Sequence, residues 1–341
     1  MIQTQRAPEA RPEHRSTGVF RIACLLLAAV AGTAWVGLGA TEVLEIVVEG
    51  VGRTALVHVP ESLPSDAAVP LVIAFHGSAL NGEIMEQMTG FSTLAKQERF
   101  IAVYPNGTGP ADVLSWNART CCSVALERNV DDLAFVDALL NELIAKYPVD
   151  PNRVYATGFS NGGMLTYILA IERPERFAAI AVVSGAMFAT QEPPGVAMPV
   201  MIIHGTNDTV LPYHGGWGAL RNLSGKTEPA LPVADAASFW IENNGCASIS
   251  PITTSERNAE IKAFTECRDG SDVILITLLG GDHTWPVIAR NPSSFLLSDD
   301  AYDLYASLSD EKLGDIIPWE LFEVGIDTSR SVWAFFEEHG G

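Results

Sequence analysis

The sequence predicts an α/β fold: one mostly parallel central sheet with helices on both faces. Three observations predict it. Continuous apolar runs such as Pro70–Phe75 and Val200–His204 suit strands buried on both faces. These runs alternate along the chain with longer amphipathic stretches, as parallel strands joined by helical crossovers require. No internal repeat and no Pro/Ser-rich linker breaks the alternation, so residues 41–341 read as one domain.

The elements follow in order. Residues 1–21 carry Arg6, Arg11, Arg15 and Arg21, and no charge appears from Ile22 to Thr41. A basic segment before an apolar one is the pattern of an export signal, with Ala40 as the cleavage edge. The rival reading is an uncleaved membrane anchor over residues 22–40, since about 20 uncharged residues can span a bilayer. Either way residues 1–40 stand apart from the domain, and the body is expected to be secreted or periplasmic. Glu45–Val59 alternates and reads as a β-hairpin. Pro70–Phe75 and Ile101–Tyr104 are strands. Asn129–Tyr147 is a helix with an apolar stripe at Leu133, Val136, Leu140, Leu143 and Tyr147, capped by Asn129, with Asp131 and Asp132 at its positive end. Arg153–Gly158 is a strand and Gly162–Glu172 a helix. Ala178–Ser184 and Val200–His204 are strands, Val233–Asn243 a helix, Val273–Leu279 a strand and Thr328–Glu338 a closing helix.

Composition sets limits on function. Hydrophobic residues make up 48% of the 341 and charged residues 18%, too apolar for a disordered chain. The net charge of −20 argues against nucleic acid as a partner, because phosphate contacts need a basic face. It also argues against membrane-surface binding beyond the N-terminal segment. After residue 40 there are four cysteines, Cys121, Cys122, Cys246 and Cys267, and an even number in an exported chain favours disulfides. Cys246–Cys267 is the easiest pair to close, which leaves Cys121 and Cys122 as a vicinal bridge or as two buried thiols. No Cys/His cluster has zinc spacing, so no metal site is expected.

The sharpest motif is Gly158-Phe159-Ser160-Asn161-Gly162, which follows a strand and opens a helix. That is the context of a nucleophile elbow, where a tight turn exposes the serine hydroxyl. A serine hydroxyl is a weak nucleophile; it needs a base, and the base needs an orienting carboxylate. In chain order, Asp208 follows the strand Val200–His204, and His283 lies in the glycine-rich loop after the strand that ends at Leu279. Asp282 is a rival acid, but it is adjacent to the base. Two backbone N–H groups are expected to form an oxyanion hole: that of Asn161, after the nucleophile, and that of Ser78, after the strand ending at Phe75. The remaining histidines read as structural: His204 at a strand end, His76 bracing its own loop, His214 in a loop, His58 solvated in the hairpin and His339 at a helix end. Asp131 and Asp132 read as helix-start residues.

These residues resemble a family, the exported α/β-hydrolases of the polyhydroxybutyrate depolymerase and feruloyl esterase type. The resemblance runs from about residue 45 to 286 and resumes at the closing helix. It is carried by Phe75-His-Gly-Ser, Tyr104-Pro-Asn-Gly, Ser115-Trp-Asn, Cys121-Cys122, Asn129-Val-Asp-Asp, Val154-Tyr-Ala-Thr-Gly-Phe-Ser-Asn-Gly-Gly-Met164, His204-Gly-Thr-Asn-Asp and Gly281-Asp-His-Thr-Trp-Pro286. It implies Ser160 as nucleophile, Asp208 as acid and His283 as base, and it supports the Cys246–Cys267 bridge. Trp116, Asn117 and Trp285 are candidates for the substrate wall by their place near the site. Ser78 stands where many relatives have cysteine, and Ser123 where glycine is usual. Val287–Gly325 is longer than the usual connection and follows the base directly, so it is read as a lid over the site or as a peripheral docked segment.

The resemblance implies a serine esterase that needs no cofactor. Its substrate would be a polyhydroxyalkanoate oligomer, or a feruloyl or acetyl ester of plant polysaccharide. An acyltransferase using the same triad and a non-catalytic envelope protein are the rival expectations.

Overall fold

The computed structural model describes residues 41–61, 63, 67–219, 227–250, 253–254, 258–286 and 326–340. The expected signal or anchor at 1–40 and the insertion at 287–325 lie outside the described residues. The strands are β1 (Thr41–Val48), β2 (Val51–His58), β3 (Val69–Phe75), β4 (Ile101–Pro105), β5 (Val149–Phe159), β6 (Ala179–Val183), β7 (Val200–Gly205), β8 (Ser248–Ile249), β9 (Thr253–Thr254), β10 (Ala259–Thr265) and β11 (Val273–Leu278). They make one sheet in the order β1-β2-β4-β3-β5-β6-β7-β11-β10-β8, with β9 also on β10. The six strands from β4 to β11 run parallel, and the antiparallel pairs are confined to the two ends. The mostly parallel sheet is thus borne out.

The hairpin β1–β2 turns through Glu49 and Gly50, both at positive φ, the backbone pair that matches strand twist. Because β2 also pairs with β4, it is an interior strand. This corrects the reading of His58 as solvated: it is 3% exposed, and burial lowers its pKa. Its Nδ1 contacts the Thr41 hydroxyl at 3.3 Å.

The described helices are α1 (Gly82–Thr89), α2 (Phe91–Glu98), α3 (Ser123–Glu127), α4 (Asp132–Lys146), α5 (Asn161–Glu172), α6 (Val233–Asn244) and α7 (Thr328–Glu338). Alternation along β3 shows how they divide. Leu71, Ile73 and Phe75 pack with residues of α4, α5 and α6, including Phe135, Leu165 and Trp240. Val72 and Ala74 pack with residues of α1, α2 and α7, including Met85, Phe91 and Phe336. Both faces of the sheet are therefore covered, which is why its parallel strands read as unbroken apolar runs.

Two expectations need correction here. The cap of α4 is Asp131, whose carboxylate accepts the Ala134 N–H at 2.9 Å, and not Asn129, which sits at φ +48 in the preceding turn. The buried stripe of α4 runs through Phe135, Val136, Leu139, Leu140 and Leu143, while Leu133 and Tyr147 are only half-buried. Ser123 sits at φ +55, so the turn keeps the left-handed backbone that favours glycine. Both disulfides form, Cys246–Cys267 and the vicinal Cys121–Cys122.

Candidate active site

Ser160 lies between the C-terminal end of β5 and the first turn of α5, at φ +53 and ψ −117. A non-glycine residue persists there only when its surroundings hold it. They do so through glycine. A Cβ on Gly162 would collide with the Phe75 and His76 carbonyl oxygens, and one on Gly158 with the Gly162 carbonyl. The Ser160 N–H donates to Val183 O at 3.0 Å, which fixes the turn to β6.

Asp208 and His283 follow the C-terminal ends of β7 and β11, which are neighbours in the sheet. Their two loops are tied together. Asn207 N–H donates to Gly281 O at 2.9 Å, Thr206 N–H to Leu278 O at 2.9 Å and Gly280 N–H to the Thr206 hydroxyl at 2.8 Å. A Cβ on Gly205 would strike the Gly281 carbonyl, so glycine is what lets the loops approach. The Ser184 hydroxyl donates to Thr284 O at 3.2 Å and anchors the His283 loop to the end of β6.

The three side chains, 48 and 75 positions apart in sequence, meet in a continuous relay. His283 Nε2 is 2.9 Å from Ser160 Oγ, and His283 Nδ1 is 2.7 Å from Asp208 Oδ2. The buried carboxylate also accepts the Val210 N–H at 2.9 Å and the Leu211 N–H at 2.7 Å on Oδ1. Burial would raise the Asp208 pKa, but the adjacent His283 and the hydrogen bonds from His204 and His283 outweigh it. The group is held well below the ordinary carboxylate range. An ionised Asp208 fixes the hydrogen of His283 on Nδ1 and leaves Nε2 as the acceptor facing Ser160. Such a relay can activate a hydroxyl for attack on a carbonyl carbon.

The loop after β3 carries Ser78 beside the elbow. His76 braces it: Nδ1–H donates to Gly77 O at 2.7 Å, and Nε2 accepts the Gly107 N–H at 3.0 Å. Trp116 corrects a sequence expectation. It is fully buried, so it cannot touch a substrate. Its indole N–H donates to His76 O at 2.9 Å, and its backbone is clasped by the Asn161 amide, which accepts the Trp116 N–H at 2.7 Å and donates to Trp116 O at 3.1 Å. Trp116 thus joins the two backbone segments that carry Ser78 and Asn161. Trp285 is likewise no substrate wall: it is 5% exposed, packs edge-on against Phe91 and donates to the Ser329 hydroxyl at 3.1 Å. Asn117 is half-buried and holds its own loop, its amide donating to Val130 O at 2.9 Å and its N–H to Asp132 Oδ2 at 2.7 Å.

Asp132 is more than a helix-start residue. It is buried and paired with Arg53 at 2.8 Å, and the Arg53 guanidinium lies 4.1 Å from the Phe135 ring centroid. Nothing in the sequence pattern signalled this pair, because its partners stand 79 residues apart and neither motif contains both. Among the described residues no group of three or more His, Cys, Asp or Glu is placed to hold a metal ion.

His76 sets a pH limit on the scaffold. Burial holds its imidazole down at about 4, and the nitrogen that would take a second proton, Nε2, already accepts the Gly107 N–H. The unfolded chain takes up that proton near the ordinary value of about 6.5. Between these values the unfolded state binds more protons, so stability falls as pH drops from about 6.5 to about 4, by up to about 1.4 kcal/mol per pH unit. The urea midpoint is therefore expected to be lower at pH 4.5 than at pH 7. The difference should shrink in His76→Gln; an unchanged difference would contradict this assignment.

Comparison with known proteins adds to this geometry. The family described as "Esterase PHB depolymerase" matches residues 57–214. The chain is 29% identical to "Feruloyl esterase B" of Piromyces equi over 240 residues, covering 68% of this chain and 42% of that protein. It is 31% identical to "Probable feruloyl esterase C" of Aspergillus flavus over 248 residues, covering 70% of this chain and 80% of that protein. The chain thus spans less than half of the Piromyces protein and most of the Aspergillus one. Among solved structures, "Acetyl xylan esterase from Aspergillus awamori" superposes with a TM-score of 0.50 at 19% identity, over 79% of this chain and 100% of that one. At that identity the likeness speaks to the fold.

Proposed function

Since this chain belongs to the esterases of the polyhydroxybutyrate depolymerase and feruloyl esterase type, with their α/β-hydrolase fold, we propose that it is an exported carboxylic-ester hydrolase acting through Ser160, His283 and Asp208. The observation that carries this reading is the relay of 2.9 Å and 2.7 Å from serine through imidazole to a buried carboxylate. Ser160 Oγ attacks the ester carbonyl carbon as its proton passes to His283 Nε2. The oxyanion that forms is held by the N–H groups of Asn161 and Ser78. Collapse breaks the bond to the alcohol, which leaves with the proton from His283. Water, deprotonated by His283, then attacks the acyl-enzyme and releases the acid and free Ser160. Asp208 holds the imidazole in the right tautomer and offsets its charge. No cofactor enters these steps.

Residues 41–341 make one catalytic domain in this reading, and residues 1–40 serve export or anchoring. The substrate is a feruloyl or acetyl ester of a plant polysaccharide, a choice supported by relatives named as feruloyl and acetylxylan esterases. A polyhydroxyalkanoate oligomer is the second reading, supported by the description of the matching family. Initial rates on methyl ferulate, an acetylated xylan oligomer and a soluble 3-hydroxybutyrate oligomer, with the Ser160→Ala chain as blank, decide between them. Faster Ser160-dependent hydrolysis of the first or second is expected. Turnover of the hydroxybutyrate oligomer alone would overturn the substrate choice, and acyl transfer to a sugar exceeding hydrolysis would overturn the reaction class.

A further inference from the structure

His204 is the last but one residue of β7, four residues before the acid, and is buried. Its Nε2 lies 2.7 Å from the Leu211 carbonyl oxygen and 3.1 Å from Asp208 Oδ2. Both neighbours are acceptors, so the ring hydrogen belongs on Nε2 and is shared between them. Leu211 closes the arrangement by donating its own N–H to Asp208 Oδ1 at 2.7 Å. Counting Val210 N–H and His283 Nδ1–H, the carboxylate receives four donors, two on each oxygen. That is about its full capacity. A histidine that merely finished a strand would need no more than the Leu211 carbonyl; the contact with the carboxylate is additional.

We propose that His204 is a positioning residue for the hydrolysis: its Nε2–H holds Asp208 Oδ2 in line with His283 Nδ1. The inference rests on the esterase reading above and extends it to a further residue that touches Asp208 Oδ2. Oδ1 is pinned by two backbone N–H groups, but Oδ2 would otherwise have His283 alone, and His283 must itself be free to gain and lose a proton on its far side. A donor that takes no part in proton transfer keeps the carboxylate oriented through the cycle. Tyr213, edge-on to the His204 ring at 6.1 Å, helps confine the imidazole.

The test uses the full chain and a fluorophosphonate probe, which forms a P–O bond with Ser160 Oγ as fluoride leaves and the proton passes to His283. His204→Leu removes the donor. His204→Gln places an amide N–H near the position of Nε2 and should restore it. Labelling of His204→Leu is expected to be about ten- to a hundredfold slower than wild type, the range for a hydrogen bond to a charged group, with His204→Gln within about threefold. On the best ester, the loss should fall on kcat with KM unchanged. Equal labelling of His204→Leu and wild type, or His204→Gln as slow as His204→Leu, would overturn the proposal. If His204→Leu does not fold by circular dichroism, His204→Asn, whose shorter amide cannot reach the carboxylate, replaces it. If neither folds, His204 serves stability and the proposal fails. Absence of Ser160 labelling in the wild type would instead sink the esterase reading, and this inference with it.

Discussion

Ser160→Ala is expected to lower kcat on the preferred ester by on the order of 10⁵- to 10⁶-fold, with KM within about threefold. The hydroxyl is the only group removed, and its oxygen is the atom that His283 Nε2 faces at 2.9 Å. Among the described residues no other hydroxyl or thiol shares that nitrogen, and the remaining catalysis would come from binding and the oxyanion donors alone. The fold should tolerate the change. The Ser160 hydroxyl accepts no capping bond from α5, and alanine meets the same backbone cost at φ +53 as serine does. Steady-state rates on protein free of host esterases, with thermal melts of both chains, check both halves. A residual rate above about 1% with an unchanged melt would remove Ser160 from the nucleophile's place, since deleting the nucleophile leaves far less.

The members of this relay were legible because each follows the end of a buried parallel strand, where an open α/β sheet presents its functional groups. The strands announce themselves as Arg153–Gly158, Val200–His204 and Val273–Leu279, and Ser160, Asp208 and His283 follow their ends by two, four and four positions. The roles of the tryptophans were not legible. Trp285 lies two residues after His283 and Trp116 within a motif that carries the family resemblance, but neither fact says which way a ring turns. Trp116 turns inward because its N–H finds the His76 carbonyl and its ring meets Phe75 edge-on at 5.4 Å. His58 was misread for a related reason. Alternation in a hairpin says which residues share a face, but not that β4 and α1 will cover it.

The helices α1 and α2 escaped notice because they are eight residues each and are separated by Gly90 at φ +62, so each offers barely two periods of apolar spacing. Strand β10 escaped because it pairs antiparallel beyond β11, where burial is partial and the pattern Ala-Glu-Ile-Lys-Ala-Phe-Thr is weak. The couplings that hold the site, Trp116 to Asn161 and His76, and Arg53 to Asp132, join positions 40 to 79 residues apart. Such pairs are products of the topology and leave no local periodicity to read.

Asp208→Asn should lower kcat by about 10⁴-fold, because the amide cannot reproduce what the carboxylate accepts. All four groups around Asp208 are donors: the Val210 and Leu211 N–H groups on Oδ1, His283 and His204 on Oδ2. An asparagine has one oxygen. If that oxygen stays with Val210 and Leu211, its NH₂ points at two ring N–H groups. His283 can then relieve the conflict by moving its hydrogen from Nδ1 to Nε2, and a protonated Nε2 cannot take the proton of Ser160. The loss is therefore one of tautomer and should appear in kcat. The same substitution should change acid stability in a defined direction. The Asp208 pKa is depressed in the folded chain, so its ionised form contributes stability that is complete above the unfolded value of about 3.9 and is lost as pH falls below it. That window lies beneath the one set by His76, so the two are separable. Below pH 4 the stability of the asparagine chain should fall less steeply than that of the wild type. A kcat within tenfold of wild type would mean that Asp208 does not set the His283 tautomer, and identical acid slopes would mean that its carboxylate is not held ionised by its neighbours.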